Sequence, residues 1–91
     1  MTPEETLPSL LEYPSPFPLK VMGEADAELE ALVLDIVRRH AADFAPAQME
    51  KRLSSGGRYL CLTCTVTATS RAMLDNLYLE LSAHPRIRYV L

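Results

Sequence analysis

Leu10-Leu11-Glu12-Tyr13-Pro14-Ser15-Pro16-Phe17-Pro18-Leu19-Lys20-Val21-Met22-Gly23 is the stretch that decides where the ordered domain begins and how its first strand faces a core. From Phe17 onward, Phe17, Leu19 and Val21 alternate with Pro18, Lys20 and Met22, the period of a half-buried strand, and Gly23 ends it. Pro18 lacks a backbone donor and is expected to cost a ladder bond, which predicts that the strand proper begins after it. Upstream, Pro3 and Pro8 join Pro14, Pro16 and Pro18 to place five of the seven prolines at the start of the chain. Each fixes φ and removes a donor, so residues 1–9 are predicted to be an irregular arm and residues 10–91 a single domain.

After Gly23, Asp26 is placed to cap a helix whose apolar positions Leu29, Leu32, Val33, Ile36 and Val37 recur at intervals of three and four. Glu28 and Glu30 sit early, and Arg38, Arg39 and His40 late, as the helix dipole prefers. Met49 to Leu53 reads as a modest edge strand. Ser54-Ser55-Gly56-Gly57 is a turn before a strong strand, Arg58 to Ala68, and the two strands are expected to form a hairpin. Thr69 or Ser70 caps a second helix with Leu74, Leu77, Tyr78 and Leu81 on one face. His84-Pro85 ends it before a last strand, Ile87 to Leu91. The order βαββαβ, with right-handed crossovers, predicts an α+β ferredoxin-like sandwich. Its sheet is four-stranded and antiparallel in the order 4-1-3-2, both helices cover one face, and the other face is left open.

The 91 residues allow one hydrophobic core, and the 48% apolar share is ordinary for a globular domain. Apolar runs last only a few residues, far short of the roughly 20 that span a bilayer, so no membrane association is expected. Met1-Thr2-Pro3-Glu4-Glu5 carries acids where a leader needs positive charge, which points to a cytoplasmic protein. A net charge of −3 repels phosphate backbones and makes nucleic acid a poor partner.

Leu10-Leu11-Glu12-Tyr13-Pro14-Ser15-Pro16-Phe17, then Lys20-Val21-Met22-Gly23, Arg39-His40-Ala41 and Leu77-Tyr78, together resemble the YbeD-like family of small bacterial proteins of unknown function. The resemblance is an ordered agreement from Leu10 to Leu91. It departs at Pro18-Leu19, where a hydroxyl residue followed by an aromatic is usual. It implies the same fold, similar to the ACT regulatory domains of amino-acid metabolism, and no established activity; its link to lipoate metabolism is one of association.

Cys61-Leu62-Thr63-Cys64 has the CxxC spacing of a thiol redox pair or half a zinc site. On a strand, however, residues three apart point to opposite faces and lie roughly 10 Å apart along the chain, beyond disulfide reach. Ferredoxin-like metallochaperones carry such a pair in the loop after strand one, whereas this one falls in strand three. Cys64 has the buried parity of Leu60, Leu62, Val66 and Ala68, and Cys61 that of Tyr59, Thr63, Thr65 and Thr67. No metal and no cofactor are expected.

His40 and His84 end different helices and read as C-terminal charges, while Ser54, Ser55 and Ser70 are turn or cap residues. Glu24, Asp26, Glu28 and Glu30 read as a solvated acidic run that complements the dipole. Acylphosphatases share the fold but need an arginine after strand one and a nearby asparagine; here that loop is Met22-Gly23-Glu24, and the single asparagine, Asn76, is on helix two. An RNA-recognition module needs several rings on strands one and three, and strand three offers only Tyr59. No catalytic set converges.

Two positive features remain. Gly23 is placed where ACT-type domains let backbone approach a small ligand, or where a strand-to-helix turn needs positive φ. The open face is expected to present Lys20, Met22, Tyr59, Thr63, Thr65, Arg88 and Val90, a surface suited to a protein partner or a homodimer. The sequence therefore reads as a non-enzymatic regulatory or interaction domain whose interaction surface is Lys20, Met22, Gly23, Tyr59, Thr63 and Arg88. The alternative is an ACT-like domain sensing an amino acid or an acyl metabolite.

Overall fold

The computed structural model describes residues 12–91, so the arm expected over residues 1–9 and the domain start at Leu10 lie outside the described residues. Six elements follow the order read from the sequence: β1 (Ser15–Glu24), α1 (Ala27–His40), β2 (Met49–Leu53), β3 (Tyr59–Ala68), α2 (Arg71–Ala83) and β4 (Ile87–Val90). The sheet is antiparallel in the order β2-β3-β1-β4, which is the expected 4-1-3-2 arrangement. A short 3₁₀ turn, Pro46–Gln48, leads into β2.

The strand starts earlier than expected, at Ser15, and runs through both Pro16 and Pro18. The reason is directional. Lys20 exchanges both its backbone bonds with Leu91, at 3.0 and 2.8 Å, so even-numbered residues of β1 turn their main-chain groups toward β4. The pairing with β4 stops there, and the absent donors of Pro16 and Pro18 face a side with no strand to pair among the described residues. Neither proline costs a bond to β3, and both blunt an otherwise free edge.

Asp26 caps α1 by accepting from the Glu28 amide at 2.8 Å, and Ser70 caps α2 by accepting from the Met73 amide at 3.1 Å. The hairpin closes through Ser54 and Tyr59: the Ser54 amide donates to the Tyr59 carbonyl, and the Ser54 hydroxyl accepts from the Tyr59 amide. Gly56 and Gly57 occupy positive φ, 92° and 74°, which lets the loop reverse direction without Cβ strain.

The helices lie against the face formed by Leu19, Val21, Leu60, Leu62, Cys64, Val66 and Ala68. Leu29, Val33, Ile36 and Val37 from α1, with Leu74, Leu77 and Leu81 from α2, close the core, and Phe17 and Leu32 pack partly buried at its margin. Phe44, absent from the expected core, is buried in the loop after α1. Tyr78 departs from its expected place: it lies beside the narrow stripe made by Leu74, Leu77 and Leu81, and is 47% exposed.

Gly23 is neither at a turn nor at positive φ; it is buried inside β1. A Cβ there would meet the Arg86 carbonyl oxygen at 2.5 Å and both Leu29 methyls at 3.0 Å. The missing side chain admits the protein's own backbone. At this point β4 carries a bulge: Met22 pairs with Tyr89 and Gly23 with Ile87, leaving Arg88 as the extra residue. Past the bulge the alternation flips. Ile87 and Val90 are buried while Arg88 and Tyr89 are exposed, so Val90 leaves the expected open face and Tyr89 replaces it.

Candidate functional site

Register and burial place the open face in rows across the sheet. Glu50, Thr63, Lys20 and Leu91 form one row; Arg52, Cys61, Met22 and Tyr89 form the next. Tyr59 and Glu24 continue it toward the hairpin, while Thr65 and Pro18, then Thr67 and Pro16, continue it the other way. Of the residues expected to form the surface, Lys20, Met22, Tyr59, Thr63 and Arg88 are brought together here, and Gly23 is not, because Leu29 and the Arg86 carbonyl occupy its approach.

The apolar centre is Met22, Cys61, Tyr89 and Leu91, with Tyr89 63% and Leu91 77% exposed. Two shallow hollows meet at Lys20 and Cys61, one reaching Tyr89 and Leu91 and the other Glu50, Arg52 and Thr63. Tyr59 is half-buried, with the Arg58 guanidinium 5.4 Å from its ring centroid, a cation–π contact that keeps this ring from standing free. Arg88 reaches Glu24 at 3.5 Å. Among the described residues, Lys20, Glu50 and Arg52 make no ion pair. The face carries four cations, Lys20, Arg52, Arg58 and Arg88, against Glu24 and Glu50, although the whole chain is acidic.

Elsewhere ion pairs tie neighbouring elements together. The acidic run at the start of α1 is gripped from neighbouring elements: Arg86 reaches Asp26 at 2.7 Å and Glu28 at 2.8 Å, and Lys51 reaches Glu30 at 3.1 Å. The Glu28 amide and the Arg86 guanidinium together hold the Asp26 carboxyl below the usual carboxylate range. His40 extends the helix-end reading: its Nε2 lies 2.7 Å from a Glu80 oxygen on α2, and Arg39 pairs with the same carboxylate, so the end of α1 is tied to its neighbour helix. His84 accepts from the Arg86 amide through Nδ1 at 3.3 Å.

The two cysteines point to opposite faces. Cys64 is fully buried, and burial pushes its thiol up to about 11, which makes it inert at neutral pH; Cys61 is partly exposed on the open face. A strand that sends the two sulfurs to opposite faces gives no shared position for a metal or a disulfide. No helix of the described residues is long and apolar enough to cross a membrane.

Sequence reasoning missed Tyr89, Leu91, Glu50 and Arg52. Pairing β2 with β3 in the hairpin register would have found Glu50 and Arg52; the other two depend on a bulge that no residue of β4 announces.

Comparison with known proteins bears on the family and the fold. The family described as "Protein of unknown function (DUF493)" matches residues 8–91. The UPF0250 protein of Leptothrix cholodnii is 56% identical over 84 residues, covering 91% of this chain and 91% of its own. That of Janthinobacterium sp. (strain Marseille) is 53% identical over 83 residues, again covering 91% of each. Among solved structures, the C-terminal domain of the MgtC protein from Mycobacterium tuberculosis is similar with a TM-score of 0.64 at 17% identity, covering 89% of this chain and 88% of that one. At that identity the likeness is one of fold alone.

Proposed function

Because the chain belongs to the DUF493 (UPF0250) family, whose function is not established, we propose from its surface that it is a non-enzymatic protein-interaction domain that binds through the open sheet face. The observation that carries this reading is the cluster of Met22, Cys61, Tyr89 and Leu91, left uncovered by either helix and rimmed by Lys20 and Arg52. An exposed apolar centre with a charged rim is the anatomy of an interface. A partner that covers it removes Tyr89 and Leu91 from water and gives the unpaired rim charges something to meet.

A small-molecule site at Gly23, the sensing alternative, draws no support from the geometry, since the backbone approach there is filled from within. The open face itself is shallow, whereas ligand sites bury most of their occupant.

The test is retention of proteins, further copies of the chain included, by the tagged domain from a bacterial extract. Tyr89→Ser should strip the retained proteins, and Arg38→Gln, on the helix side, should not. Identical retention by the two variants, or none by the wild type, refutes the reading.

A further inference from the structure

Resting on that reading, we propose that the occupant of the open face is a second copy of the same chain, packed face to face about a two-fold axis that runs across the strands. The axis passes between the row Glu50, Thr63, Lys20, Leu91 and the row Arg52, Cys61, Met22, Tyr89. Rotation about it exchanges the two rows. Glu50 then faces Arg52 of the second copy and Arg52 faces its Glu50, which joins two charges that have no ion-pair partner among the described residues. At the other end of the rows Tyr89 and Leu91 face one another twice, covering the most exposed apolar side chains of the face. Thr63 meets Cys61 in the middle, and the Lys20 stem lies over Met22.

Charge selects this axis over the one that runs along the strands. The latter would set the Glu50 carboxylate against Leu91 and leave it unpaired at an apolar contact, at a cost that buried charges rarely bear. The crosswise axis makes the interface self-complementary, as an isologous dimer requires. The face is small: β1 and β3 contribute ten residues each, β2 five and β4 four, which at about 3.3 Å per residue and about 4.8 Å between strands give roughly 450 Å² in projection. With the corrugation of a side-chain surface this corresponds to the low end of specific interfaces, about 600 Å² per partner. Two such sheets pack aligned at about 10 Å, as in a β-sandwich.

The experiment is sedimentation equilibrium of the full chain as wild type, Glu50→Arg, Arg52→Glu and the double exchange. The wild type should dimerise; each single variant should weaken the dimer at least about tenfold, because each sets like charges across the axis twice. The double exchange should recover to within about threefold of wild type, since it restores both pairs in reverse. If a single variant fails to fold by circular dichroism, Glu50→Gln and Arg52→Gln replace it, with a smaller loss in the same direction. A wild type that stays monomeric at about 200 µM overturns the second copy. If Tyr89→Ser still strips proteins retained from extract, the open-face reading survives that result. A dimer indifferent to the charge exchanges, or a double variant no better than the singles, overturns the axis. A dimer indifferent to Tyr89→Ser as well overturns the open face itself.

Discussion

Gly23→Ala tests the packing that sets β4 in place. The added methyl would stand 2.5 Å from the Arg86 carbonyl oxygen and 3.0 Å from both Leu29 methyls. A carbon and a carbonyl oxygen need about 3.3 Å even in a weak C–H···O contact, so nearly 1 Å must be found. Leu29 cannot yield it, because it is 1% exposed in a packed core, and the Arg86 carbonyl is backbone at the entrance to β4. The Arg86 side chain is itself held by Asp26 and Glu28. β4 must therefore retreat from β1 at the bulge. Overpacking of this kind costs about 1–3 kcal/mol, and the involvement of backbone places Gly23→Ala at the upper end, about 2–3 kcal/mol. For a domain of this size each kcal/mol moves Tm by about 4–8 °C, giving a fall on the order of 10–20 °C. Urea unfolding followed by circular dichroism reads the free energy directly. A loss under about 0.5 kcal/mol would mean that the close approach is not what fixes a glycine there.

The other expectations concern the two cysteines, the core and the first cap. At pH 8 a thiol reagent should label Cys61 in the folded protein and reach Cys64 only on unfolding, because burial holds the Cys64 thiol near about 11; two thiols labelled at equal rates would contradict the opposite-face placement. Leu62→Ala, at a fully buried position of β3, should cost about 2–5 kcal/mol in urea unfolding, and a loss below about 1 kcal/mol would show that the site is not packed as described. Asp26 has a folded-state carboxyl below its ordinary value, so its contribution to stability is complete above the ordinary carboxylate range and is lost as pH falls through the lowered value. Asp26→Ala should therefore lower Tm at pH 7 and progressively less at pH values below about 4, and a difference that grew on acidification would reverse the sign of this argument.

Much of the fold was legible because local chemistry and long-range packing agree. The alternation Leu19, Val21 against Lys20, Met22 gave the core face of β1, the three-and-four spacing of Leu29, Val33, Ile36 and Val37 gave that of α1, and the glycine pair gave the hairpin. The same alternation placed Cys61 and Cys64 on opposite faces. Readings failed where the deciding contact lies far along the chain. The cost assigned to Pro18 depends on what lies on the side its missing donor faces, and that is set by where β4, some 70 residues on, stops pairing with β1. The stripe of α2 stops short of Tyr78 because the sheet and α1 leave a narrow contact, which spacing alone does not report.

The largest consequence came from one glycine and one bulge that belong together. Gly23 looked like the end of a strand, and a glycine at a strand end suggests a turn or a ligand's approach. In the folded protein it lies opposite the point where β4 takes an extra residue, and its bare Cα is what allows the Arg86 carbonyl to come close enough for that residue to be accommodated. The bulge then reverses the parity of everything after it. Val90 goes into the core, Tyr89 comes out, and Leu91 follows it at the next open position beside Lys20. Without the bulge the open face would centre on Met22 and Val90, a smaller patch with no aromatic anchor. With it the face acquires Tyr89, the side-chain type most suited to anchor an interface. A buried glycine thus helps to decide which side chains the open face presents.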